Sequence, residues 1–176
     1  HHLLLSHGRS VPVIRANSAD ANVGITLNLT PQEPASQSIP DRNAAVWSDG
    51  YVNRWFLDPL VGRGYPQDMV NGYGNDMEFI KPGDMDAIAV PVDFLGVNYY
   101  TRNIVRSTVV NEDENLPPTN IPKGAITEMG WEVHPKGLYN LLGRLHFDYN
   151  FPAIYIIHNY PDIASIFLSL QLKHTK

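Results

Sequence analysis

Cysteine is absent from the 176 residues of this chain, which excludes disulfide cross-links and thiolate metal sites and is compatible with a cytoplasmic location. Positive charge is scarce: 13 Lys and Arg stand against 18 Asp and Glu, for a formal net charge of -5. No basic face is therefore expected to bind nucleic acid. Long hydrophobic runs are missing too, since the apolar stretch at residues 163–172 is about half of the ~20 residues that a membrane helix needs. No membrane partner is expected. The opening residues His1-His2-Leu3-Leu4-Leu5-Ser6-His7 carry neither a basic leader nor a small-residue cleavage site, so they do not read as a secretion signal. The three histidines there have no carboxylate at ligand spacing, and read as a helix surface or the remnant of a tag rather than a metal centre. Neither a metal nor a cofactor is expected.

What is present is a coarse alternation of helix and strand. Residues 1–19 read as part of a helix that Pro12 should kink or shorten. Residues 23–30 are rich in β-branched and apolar side chains, stop at Pro31, and read as a strand. Residues 41–57 set Ala44, Ala45, Trp47, Val52, Trp55 and Phe56 at helical spacing, with Asp41 as a start signal and Pro59 as a stop. Residues 60–90 read as loop, punctuated by glycine and proline. A second strand follows at 93–101, a polar and proline-containing excursion at 111–130, a helix at 135–149 with Leu138, Leu141, Leu142 and Leu145 on one face, and a third strand at 152–159. Strands separated by helices predict parallel βαβ units in an α/β fold, and the apolar continuity of the strands predicts that both faces are covered. Three strands can begin a sheet but cannot close a barrel. With 176 residues, the chain is shorter than the about 250 of a complete (β/α)8 barrel.

Five blocks then stand in series: His1-His2-Leu3-Leu4-Leu5-Ser6-His7-Gly8, Val23-Gly24-Ile25-Thr26-Leu27-Asn28-Leu29-Thr30, Asn53-Arg54-Trp55-Phe56-Leu57-Asp58-Pro59, Asp93-Phe94-Leu95-Gly96-Val97-Asn98-Tyr99-Tyr100-Thr101 and Met129-Gly130-Trp131-Glu132-Val133. In order and spacing they resemble family 1 glycoside hydrolases, the β-glucosidase family. The resemblance implies a partial (β/α)8 TIM barrel with parallel strands alternating with helices, from about the fourth helix to the seventh strand. It implies one partial domain over residues 1–176, with the family pattern lost after about residue 156. It also implies a β-glucoside or another small sugar as ligand.

The same resemblance makes two positions decisive. Pro152-Ala153-Ile154-Tyr155-Ile156-Ile157-His158-Asn159-Tyr160 is similar to the family strand that ends in Thr-Glu-Asn-Gly and delivers the nucleophilic glutamate, so His158 occupies the nucleophile position. The family's acid/base glutamate belongs to a strand that would fall before His1. A retaining glycosidase works with two carboxyl groups about 5 to 5.5 Å apart, and an imidazole brings no negative charge to a developing oxocarbenium ion. Hydrolysis of β-glucosides is therefore expected to be weak or nil. Asn98 and Tyr100 match positions around the sugar and the nucleophile, and Trp131 matches an aromatic platform on the leaving-group side, where indole stacks on apolar sugar faces. Glu33, just beyond the first strand, is the candidate substitute carboxylate, ahead of Glu128 and Glu132. Asn28-Leu29-Thr30 has the form of a glycosylation sequon but lies in a predicted buried strand and is discounted.

Two readings of other classes compete: a non-catalytic sugar-binding or interaction module using Trp131, Asn98 and Tyr100, and a fragment without selected function. A sheet with two open edges is expected to pair with itself or with a missing partner segment.

Overall fold

The structure, a computed structural model, describes residues 1–108 and 124–159. The tail beyond Asn159, with its apolar run, and the first part of the polar excursion lie outside the described residues. Three parallel strands form the main sheet: β1 (Gly24–Asn28), β3 (Phe94–Tyr99) and β5 (Ile154–Asn159), in the spatial order β1-β3-β5. A second parallel pair, β2 (Gln32–Pro34) with β4 (Asn103–Val105), extends beyond the ends of β1 and β3. This pair is absent from the sequence reading because each strand has three residues, too few for a period-2 signal.

Helices cover one face of the sheet. α1 (His2–Asn17) runs through Pro12 and continues for five more residues, so the proline does not shorten it as expected. Its Gly8 meets α5 (Asp84–Ile88) closely enough that a Cβ would stand 2.0 Å from the Ala87 carbonyl oxygen. α2 (Ile39–Asp49) starts two residues earlier than predicted, where the Ser38 hydroxyl accepts from the Asp41 N–H at 3.2 Å. It passes through a π-helical turn (Gly50–Arg54) into α3 (Trp55–Leu60), which contains Pro59 rather than stopping at it. The segment expected as loop holds α4 (Gln67–Tyr73) and α5, with a 3₁₀ turn (Gly74–Met77) between them. Their glycines serve as helix ends, Gly74 at φ 58 and Gly83 at φ 85. α6 (Pro135–Arg144) ends in a second π-helical turn (Leu145–Tyr149), and Asn150 at φ 52 reverses the chain into β5.

The core lies between the sheet and these helices. Leu27 and Leu29 from the first strand region, and Leu95, Val97 and Tyr99 from β3, meet Leu4, Leu57, Ile88, Leu138 and Leu145. Each such side chain contributes about 1.5–3 kcal/mol by leaving water. The expectation that both sheet faces are covered is not met. Thr26 and Asn28 are exposed on the opposite face, and so are Tyr155 and Ile157 of β5. That opposite face is the inner face of a barrel, which only more strands could close.

Of the three histidines expected as a helix surface or tag remnant, His2 is exposed on α1, whereas His1 departs from both readings. His1 is buried, with its side chain 1% exposed; Nδ1 lies 2.9 Å from the Tyr65 hydroxyl and Nε2 3.1 Å from Asp84. It belongs to the α1–α5 contact.

Candidate active site

Register brings three side chains into one row at the C-terminal end of the sheet. Asn28 of β1 pairs with Asn98 of β3, and Asn98 pairs with His158 of β5. A bulge between Val97 and Asn98 against β5 shifts the alignment by one residue at Ile157; without it, Ile157 would face Asn98. The Asn98 amide donates to the Asn28 side-chain oxygen at 2.7 Å. The Asn98 side-chain oxygen Oδ1 is buried without a hydrogen-bond partner among the described residues. Gly96, one step down the inner face, leaves room for its neighbours, since a Cβ there would stand 2.4 Å from Thr26 Oγ1.

Beyond the row, aromatic rings form a line. Tyr100 follows the last residue of β3, with its ring centroid 5.2 Å from His158 and 5.1 Å from Trp131. Tyr99 points the other way, fully buried against α6, and donates its hydroxyl to the His134 carbonyl at 2.7 Å. Burial, with the Glu33 charge nearby, pushes that hydroxyl pKa up. His158, Tyr100, Asn98 and Trp131 are thus gathered on one side of the sheet end, and His158 is exposed to solvent. Asn28, discounted as part of a sequon in a buried strand, is an exposed member of the same row. Its place at the end of a barrel-type strand is the signal that could have found it.

Glu33 does not stand in the row. It lies in β2, where its carboxylate accepts from Arg102 Nη1 and stands 3.4 Å from His134 Nε2. Arg102 simultaneously grips Glu132 through two hydrogen bonds, Nε at 2.8 Å and Nη2 at 3.0 Å. Those bonds and the two negative charges hold the guanidinium pKa well above its usual range. The candidate substitute carboxylate is therefore already engaged, by a residue the sequence reading did not single out.

The turn after β1 is fixed from behind. Asn53, fully buried in the π-helical turn, accepts from the Thr30 N–H at 3.0 Å and donates to the Thr30 carbonyl at 2.8 Å. The same amide donates to Asp49, which also receives two bonds from Arg144 at 2.7 and 2.8 Å. Among the described residues no group of His, Asp and Glu is arranged to hold a metal ion.

What this arrangement offers chemically is a row of two amides for hydroxyl groups and a line of rings for an apolar face. Among the described residues it offers no carboxylate at the end of β5, where His158 and Asn159 stand. A parallel β/α sheet with such groups at its C-terminal strand ends is a segment of a (β/α)8 barrel, whose chemistry gathers at that end. The chain belongs to glycosyl hydrolase family 1, whose model matches residues 1–164. It is 37% identical to β-glucosidase A of Acetivibrio thermocellus over 163 residues, covering 90% of this chain and 36% of that protein. The β-glucosidase of Exiguobacterium marinum superposes with a TM-score of 0.79 at 39% identity, over 90% of this chain and 37% of that one. The virulence factor SghA in complex with its substrate analog salicin superposes with a TM-score of 0.80 at 31% identity, over 90% of this chain and 36% of that one. The chain thus spans a little over a third of the length of the relatives it matches. These solved relatives are TIM-barrel enzymes, and the three-stranded sheet is part of that barrel.

Proposed function

We propose that these residues form one wall of a β-glucoside site, with a histidine where the family's nucleophilic glutamate stands, so that hydrolysis by this chain is weak or nil. The observation that carries the reading is the Asn98–His158 register pair with Tyr100 beside it. Asn98, with Asn28, offers hydrogen bonds to sugar hydroxyls. Tyr100 stands next to His158, and Trp131 provides the platform on the leaving-group side. The imidazole of His158, neutral or cationic, adds no negative charge for an oxocarbenium-like transition state. Glu33 is the carboxylate to test first should turnover appear, although its contact with Arg102 argues against a free catalytic role.

A second reading, a non-catalytic sugar-binding module, is favoured by the coexistence of the amide row and the aromatic line with the missing carboxylate. The ligand in either case is a β-glucoside or a related small sugar. Cytoplasmic residence is part of the proposal and is supported by the absence of cysteine; among the described residues no helix is long and apolar enough to cross a membrane.

The test is calorimetric titration with phenyl β-thioglucoside, which cannot be turned over readily, alongside an aryl β-glucoside assay. Saturable binding that Asn98→Ala and Trp131→Ala both weaken supports the site. Absence of binding to the wild-type chain refutes it, and enzymatic turnover above the uncatalysed background excludes the second reading.

A further inference from the structure

Four consecutive residues at the end of β3 each hold part of the segment 131–134. Tyr99 bonds the His134 carbonyl, and the Tyr100 ring lies against Trp131. Thr101 Oγ1 donates to the Glu132 carbonyl at 3.0 Å, and Arg102 makes its two-pronged bond to the Glu132 carboxylate. Arg102 also reaches across to Glu33, so a single guanidinium ties β2, the end of β3 and the Trp131 segment together. The parts are sheltered: the Arg102 side chain is 12% exposed and that of Glu132 10%.

The local turn alone orients Trp131 only with respect to its own loop. The Trp131 N–H donates to Thr127 Oγ1 at 3.1 Å, the Thr127 N–H donates to the Trp131 carbonyl at 2.9 Å, and Gly130 turns at φ 78. Residues 124–126 and 128–130 are exposed, so this turn gains little from burial. Its ties to the sheet include the Tyr100 ring against the indole and, at the next residue, the doubly bonded Glu132 carboxylate. A planar guanidinium holding a carboxylate by two parallel bonds fixes direction as well as distance. Without the guanidinium, Glu33 and Glu132 would be left as two partly buried negative charges with a shared partner gone, and their repulsion would drive the segment outward.

We propose that Arg102 is the positioning residue for Trp131, and that it thereby sets how strongly the site discriminates glycosides by their leaving group. The inference rests on the sugar-site reading for the second half of that statement. The first half, that Arg102 holds the indole, stands on the contacts alone.

The experiment uses the full chain labelled with 5-fluorotryptophan, whose three tryptophans give separate fluorine resonances, with Trp131 assigned by Trp131→Phe. Arg102→Gln is expected to move the Trp131 resonance toward that of a solvent-exposed indole and to leave Trp47 and Trp55 in place. It is also expected to weaken phenyl β-thioglucoside by roughly tenfold, equivalent to about 1.4 kcal/mol, with methyl β-thioglucoside unaffected. A general structural lesion would move all three resonances and both ligands. Should Arg102→Gln fail to fold, Glu132→Gln removes one charge with little change of shape and is expected to shift Trp131 alone. An unmoved Trp131 resonance in a folded variant overturns the proposal. Wild-type protein that binds neither thioglucoside defeats the sugar-site reading, while the fluorine spectrum still decides whether Arg102 holds the indole.

Discussion

His158 and Tyr100 meet at the C-terminal end of the sheet, their ring centroids 5.2 Å apart and their planes inclined by 48°. His158→Glu is expected to leave simple phenyl β-glucosides almost untouched, because retaining chemistry acts as a unit and no free acid stands opposite among the described residues. A dinitrophenyl β-glucoside, whose leaving group needs no proton, should gain more from this variant than a phenyl β-glucoside does. Equal and large gains with both substrates would mean that a proton donor is already in place.

Asp49 links the segment behind the site, and its loss should be costly. Its carboxylate takes bonds from Arg144, Arg54 and Asn53, with the side chain 13% exposed. Asp49→Asn is expected to destabilise the fold by about 3–5 kcal/mol, since Arg144 would be left without its partner. Denaturant melts of the two proteins measure the difference.

The same group fixes an acid limb. Burial alone would raise the Asp49 pKa, but the bonds and charge of Arg144, with Asn53 and Arg54, outweigh it and hold the group below its ordinary 3.8. A depressed folded pKa contributes stability that is complete above the unfolded value and is lost as pH falls through the folded one. The stability gap between wild type and Asp49→Asn should therefore be constant from neutral down to about pH 5 and close at lower pH. A gap that instead widens on acidification would contradict the assignment.

Gly8→Ala tests the packing of α1 on α5. The added methyl would stand 2.0 Å from the Ala87 carbonyl, backbone that cannot swing aside. A loss of about 1–3 kcal/mol is expected in the same melts, and a neutral result would mean that the two helices can separate freely.

The main strands were legible because Val23 to Thr30 and Phe94 to Tyr99 are short apolar runs with clear stops, and parallel pairing follows from the helices between them. Coverage was not legible. An apolar strand reads alike whether one face or both are covered, and Tyr155 and Ile157 prove exposed. Residues 60–90 hid two helices because their glycines, which cap helices, are also the residues of turns. Asn98, Tyr100, Trp131 and His158 could be proposed together from the family resemblance. The fate of Glu33 could not be read, since its partner Arg102 lies 69 residues away and no local pattern links them. His1 looked like a tag for the same reason: Asp84, which makes it part of the core, is 83 residues distant.

Open edges make an assembly prediction. Among the described residues β5 pairs only with β3, while Tyr155 and Ile157 are 53% and 55% exposed. Such an edge is a template for further strands. Light scattering should show association that grows with concentration and that Ile157→Lys reduces. A compact monomer at all concentrations would contradict the open-edge account.

The central claim is a sugar site without its charged nucleophile, and the turnover of an aryl β-glucoside by the purified chain tests it most directly. The account predicts a rate at or near the uncatalysed background, unchanged by His158→Ala. A rate constant near the typical enzyme value of about 10 s⁻¹ would contradict it and require a new assignment of the catalytic groups.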